Sequence, residues 1–169
     1  PHQPGVRARR REHLEAEILR LGRDQLAEVG APGGSVRQVA RDLGMTCQVR
    51  RFTGGKAVSY DAWECRGVSA SGKTTYLTIY SRKQAPEIAD AIHALTGETD
   101  AQKADAFFTT VASQAIPSAA AQQIQDWLAK TRPTLSAQGS KATLTVGGAN
   151  LVLANPNGLG LVLEIGEIK

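Results

Sequence analysis

The 169 residues are 41% hydrophobic and 21% charged, with seventeen glycines, which suits a globular α+β chain with many turns and at most a small appendage. No run of about 18 apolar residues occurs, so no membrane-spanning helix is expected, and the opening PHQPGVRARRREHLE has basic residues without the apolar core of a signal peptide. The formal net charge of +4 is unevenly placed: residues 1–51 hold ten basic against six acidic side chains, while residues 52–169 hold ten against ten. An excess confined to the first third points to an acidic partner there, nucleic acid foremost; a solvated helix face is the plain alternative.

Residues 7–29 have the spacing of an amphipathic helix, with Leu14, Ile18, Leu21 and Val29 near one stripe and Leu26 at its edge. Glu12, Glu15 and Glu17 sit towards its N-terminal half, where the helix dipole favours them. Gly30 suits the position just past a helix, and Ala31-Pro32-Gly33-Gly34 stops continuation. Ser35 then opens a second helix over residues 36–43 with Val36, Val39, Ala40 and Leu43 on its apolar face, ended by Gly44.

The stretch ILRLGRDQLAEVGAPGGSVRQVARDLGM, residues 18–45, closely resembles the start of TetR-type transcriptional regulators. Glu28-Val29-Gly30 matches the end of that family's first helix, Ser35 the residue opening its second, and Val36 to Gly44 the second helix itself. The resemblance implies a helix-turn-helix in which Ser35 and nearby basic side chains touch the DNA backbone. With the charge pattern, the DNA-binding candidates are Arg9, Arg10, Arg11, Ser35, Arg37, Arg50 and Arg51. The chain departs from the family over residues 46–56, which are short and lack the Tyr of the recognition helix. Phe52 and Lys56 fit the late landmarks of a degenerate recognition helix, with Arg50 and Arg51 towards DNA. Residues 47–52 equally fit a strand turning at Gly54-Gly55. Without a third helix no side chain would read bases in the major groove. The family's all-helical ligand-binding domain has no counterpart in the rest of the chain.

Gly67, followed after four residues by Gly72-Lys73-Thr74, matches the phosphate-cradling pattern G-x-x-x-x-G-K-[ST]. That loop needs a helix to follow it. Here TTYLTIY follows, rich in β-branched and aromatic residues, so strand, Ser71-Gly72 turn and strand is the expected arrangement, and a nucleotide-binding enzyme is a remote alternative. Strands are expected over residues 58–66 and 74–80. Helices are expected over 85–131: one after Pro86 with Ile88, Ala91, Ile92 and Leu95 inward, one capped by Thr99 or Asp100, and one capped by Ser118. A β-meander over 142–166 completes the chain, turning at Gly147-Gly148 and at Asn155 to Gly158.

The expected architecture is therefore α+β: two N-terminal helices as a partial helix-turn-helix in residues 1–45, then a mostly antiparallel sheet with three helices on one face in residues 46–169. No catalytic constellation, cofactor motif or metal-ligand spacing is visible; His2, His13 and His93 are scattered. Cys47 and Cys65 either bridge adjacent strands or remain thiols; a bridge would put the chain in an oxidising, extracytoplasmic compartment, and the cytoplasm is expected otherwise. The leading functional expectation is a DNA-binding, regulator-like protein whose non-enzymatic α+β domain binds a ligand or forms a homodimer. The alternative is a small binding or structural module without DNA affinity.

Overall fold

A computed structural model describes residues 31–53, 59–82, 88–117, 119–158 and 160–166. The expected first helix, with Arg9, Arg10 and Arg11, lies outside the described residues, as do the Gly54-Gly55 turn and Ser118.

The described elements are β1 (Ala31–Pro32), α1 (Gly33–Asp42), β2 (Thr46–Thr53), β3 (Ser59–Val68), β4 (Thr74–Arg82), β5 (Ile88–Thr96), α2 (Ala101–Ala115), α3 (Ala121–Thr131), a 3-10 turn (Arg132–Thr134), β6 (Lys141–Val146), β7 (Ala149–Ala154) and β8 (Val162–Gly166). Seven strands form one antiparallel sheet in the order β2-β3-β4-β5-β8-β7-β6, and the two-residue β1 pairs with β5. The register lines up two rows of side chains across all seven strands: Cys47, Cys65, Leu77, Ala94, Leu163, Leu153 and Ala142 in one, Val49, Trp63, Ile79, Ile92, Ile165, Leu151 and Leu144 in the other. Most of these are buried in one cluster with Val36, Val39 and Ala40 of α1, Phe108, Val111 and Ala112 of α2, and Ile124 and Leu128 of α3. Alternation along each strand sends the intervening residues to the opposite face.

This layout corrects the expected one in two places and decides an open alternative in a third. Among the described residues there is one short helix before the sheet, not a pair, and it shares the core of the sheet. Residues 46–53 form β2, a full antiparallel partner of β3 from Thr46↔Arg66 to Thr53↔Ser59, and not a recognition helix. The segment after Pro86 is strand β5, so only two helices follow the β3–β4 hairpin. Its sequence IADAIHALT favours a helix locally, since Ala leads the propensity ranking. In the fold it lies between β4 and β8, where Ala89, Ala91, Ile92 and Ala94 are at most 1% exposed. Ladder bonds to two neighbours and burial on both faces override a propensity difference of a few tenths of a kcal/mol per residue.

The start of α2 follows local chemistry. Asp100 accepts from the Lys103 amide at 3.1 Å and caps α2. Arg132, after α3, holds Asp105 of α2 through Nε at 3.0 Å and through Nη2, which ties the two helices together at their ends. The β3–β4 turn closes through Ser69 N–H to Lys73 O at 2.7 Å and Gly72 N–H to Ser69 O at 2.9 Å, with Gly72 at φ 75°.

Gly166, at φ 74°, ends β8 where a Cβ would collide with the Asp90 carbonyl oxygen. Gly166→Ala is expected to lower stability by about 2 kcal/mol, combining left-handed strain with displaced backbone. Urea unfolding of the two proteins, compared at their midpoints, measures it.

Candidate ligand site beneath the β3–β4 hairpin

The hairpin does not carry a phosphate loop. Lys73 leads into β4, so no helix terminus presents its amides to the loop. The first glycine of the motif serves packing instead: a Cβ on Gly67 would lie 3.0 Å from Met45 Cγ. Met45 thus reaches over β3 and helps roof a cavity.

That cavity, of about 360 Å³, lies between the α1–β2 turn, the hairpin and the first half of α2. Leu43, Met45, Val68, Ala70, Ala106 and Phe107 give it apolar walls. Leu43 and Val68 are 48% and 70% exposed, a large apolar exposure for two residues on one opening. Its polar groups gather at one side. Ser69 Oγ donates to Glu98 at 2.8 Å, the Asp100 amide donates to the other Glu98 oxygen at 3.2 Å, and Lys103 Nζ donates to Ser71 Oγ at 3.2 Å. Thr75 and Thr96 share a hydrogen bond of 2.9 Å at its floor, and Thr96 Oγ1 accepts from the Glu98 amide. The Ser69 hydroxyl, with the backbone and Lys103 adding to it, holds the Glu98 carboxyl below the usual carboxylate range. The site therefore presents an apolar slot with a fixed anion and a cation at its rim.

A second polar group lies on the sheet face opposite the helices. There Gln48, Glu64, Thr78, His93, Glu164, Val152 and Thr143 form one cross-strand row. Tyr80 meets His93 edge-to-face at 5.0 Å between centroids. Burial lowers the His93 pKa, opposed by Glu164, and burial, then Glu64, raises that of Tyr80. Among the described residues no group of three or more His, Cys, Asp or Glu could hold a metal.

The residues expected to touch DNA are dispersed. Ser35 is the third residue of α1 rather than its cap. Arg37 is turned into the fold: its guanidinium lies 4.4 Å from the Trp63 ring centroid and donates to Ser81 Oγ at 3.3 Å, a cation–π and hydrogen-bond setting that uses the charge internally. Arg50 and Arg51 are exposed on β2 but engage acids of β3, Glu64 at 2.7 Å and Asp61 at 3.3 Å. Cys47 and Cys65 face each other in register and form a disulfide, Cα to Cα 4.0 Å. Sequence reasoning did not find the cavity. Its polar rim comes from Ser69, Glu98 and Lys103, the first about thirty residues from the other two, and no short motif joins them.

Comparison with known proteins touches about a quarter of the chain. A 41-residue stretch is 54% identical to HTH-type transcriptional regulators of Mycobacterium bovis and of two Mycobacterium tuberculosis strains, CDC 1551 and H37Rv. The match covers 24% of this chain and 18% of each relative, so this chain spans under a fifth of the proteins it resembles. No family model matches the chain, and no solved structure matches it. The likeness is to helix-turn-helix regulators, and the names of these relatives do not specify the TetR type.

His93 makes stability pH-dependent. Its folded pKa lies below the ordinary 6.5, so the unfolded chain binds its proton more tightly. Stability is therefore complete above pH 6.5 and declines as pH falls from there towards the folded value. Urea midpoints at about pH 7.5 and about pH 5 should show this fall, and His93→Gln should remove the part due to this residue.

Proposed function

We propose that this chain is a non-enzymatic binding protein whose α+β domain takes a small, largely apolar molecule beneath the β3–β4 hairpin, a polar end of that molecule meeting Glu98 and Lys103. The observation that carries this reading is the cavity itself. About 360 Å³ falls within the size range of small-molecule sites, and apolar walls with a few convergent polar groups are their usual lining. The disulfide accords with it, since cross-linking β2 to β3 stiffens the strand that follows the Met45 wall. The bridge also favours an oxidising compartment.

Nile red, a neutral apolar dye, is expected to bind with enhanced, blue-shifted fluorescence. Ala106→Trp, which fills the slot from α2, should weaken that binding about tenfold or more; Lys141→Trp, on the far edge of the sheet, should leave it unchanged. Equal binding to both variants would remove the cavity from consideration.

A second reading has its own support in the 54% identity to helix-turn-helix regulators and in the basic excess of residues 1–51. On that reading the front segment attaches to DNA by phosphate contacts. Base reading is not part of it, because β2 occupies the place of a recognition helix. Gel-shift affinity for duplex DNA should fall steeply with added salt through counterion release, and Arg9/Arg10/Arg11→Ala should flatten that slope. Binding indifferent to salt and to the triple substitution would leave the ligand reading alone.

A further inference from the structure

The sheet ends on one side at β2, an eight-residue strand with no described strand along its outer side. The parity of its backbone is set by the disulfide pair. Cys47 and Cys65 have Cα atoms 4.0 Å apart, the close spacing of a non-hydrogen-bonded antiparallel pair. By alternation Val49↔Trp63 and Arg51↔Asp61 are of the same kind. The N–H and C=O groups of Cys47, Val49 and Arg51 therefore point away from β3, out of the edge.

Such edges are ordinarily blunted by charge, proline, a bulge or short length. Here there is no proline, the β2–β3 register is unbroken over eight pairs, and the two arginines lean inward onto Glu64 and Asp61. Val49 comes just before them on the strand, 55% exposed.

We propose that β2 pairs with β2 of a second copy of this chain, antiparallel about a two-fold axis at Val49, so that two seven-stranded sheets become one. The parity requires residues 47, 49 and 51 to pair among themselves, which still leaves several possible centres. Centred on Arg50 or Arg51, two arginines would stand directly opposite each other, which is unfavourable. Centred on Cys47 or Gln48, the overlap shortens at the start of the strand. Centred on Val49, the exposed valines meet on the helix-bearing face, each Gln48 faces Arg50 of the second copy, and each Cys47 faces Arg51. No like charges are opposed, and the outward groups of residues 47, 49 and 51 exchange about six backbone hydrogen bonds. The pairing is isologous, as closed dimers require. It does not rest on the ligand reading, since it uses only the β2 backbone and edge side chains.

Sedimentation equilibrium on the full chain tests it. The mass should rise from 17.9 kDa towards twice that value as concentration increases. Amide exchange at Cys47, Val49 and Arg51 should slow over the same range, while Gln48 and Arg50, already bonded to β3, stay constant. Val49→Pro removes an outward N–H and leaves the β3 ladder intact; it should hold the protein at monomer mass with an unchanged circular dichroism spectrum. Val49→Lys, which preserves the backbone, should do the same through charge, and it decides the matter if the proline variant does not fold. A wild-type chain that stays at monomer mass at every concentration, or a dimer that Val49→Lys leaves intact, would overturn the proposal.

Discussion

Two rows of apolar side chains, crossing from β2 to β6 in an unbroken antiparallel register, set the terms for everything else in the molecule. A sheet that wide has one face that must be covered, because each Leu or Ile of those rows gains about 1.5–3 kcal/mol only when withdrawn from water. Helices α2 and α3 cover part of it. The rest is covered by α1, whose Val36 and Ala40 are fully buried in the same cluster. A helix fixed in this way is part of the sheet's core, and its amphipathic stripe is used against the sheet. Once the core is satisfied, two surfaces stand out among the described residues: the slot where α2 stands off from the hairpin, and the outer edge of β2.

Much of this was legible where local signals and tertiary demands agree. The Ser69 to Lys73 turn, the Asp100 cap and the Gly147-Gly148 turn are written in residues that supply their own geometry. The strand TTYLTIY is rich in β-branched and aromatic residues, and no competing pattern disturbs it. The signals failed where alanine is dense. In IADAIHALT the apolar positions suit a helix as well as a strand, and only two neighbouring strands, the β8 side far away in sequence, decide between them. The cavity failed for a related reason. Ser69, Glu98 and Lys103 converge because the β3–β4 turn, the end of β5 and the start of α2 converge, and a distance in space has no spacing in sequence to announce it.

The charge pattern shows how a composition argument can be right in arithmetic and incomplete in physics. Ten arginines in the first 51 residues look like an offer to phosphate. Three of those in the described residues have been given other work: Arg37 lies over Trp63, and Arg50 and Arg51 meet acids one strand away. Exposed pairs of this sort contribute little to stability, about 0–1 kcal/mol each. They matter more for what they do to the edge, where they lower the net charge along β2 and with it the usual protection against pairing.

The likeness to helix-turn-helix regulators and the Cys47–Cys65 bridge pull in different directions. A regulator that reads DNA works where thiols are kept reduced, and a cross-strand disulfide persists where they are not. The fold offers a physical way of holding both observations. An amphipathic stripe can pack against other helices or against a sheet, and α1 turns its stripe to the sheet. A segment of this kind can keep its sequence likeness while changing what it packs against. The recognition helix cannot change so freely, because its work lies in side chains aimed at bases, and it is at residues 46–53 that the chain turns to a strand. The bridge sits in that strand and joins it to β3.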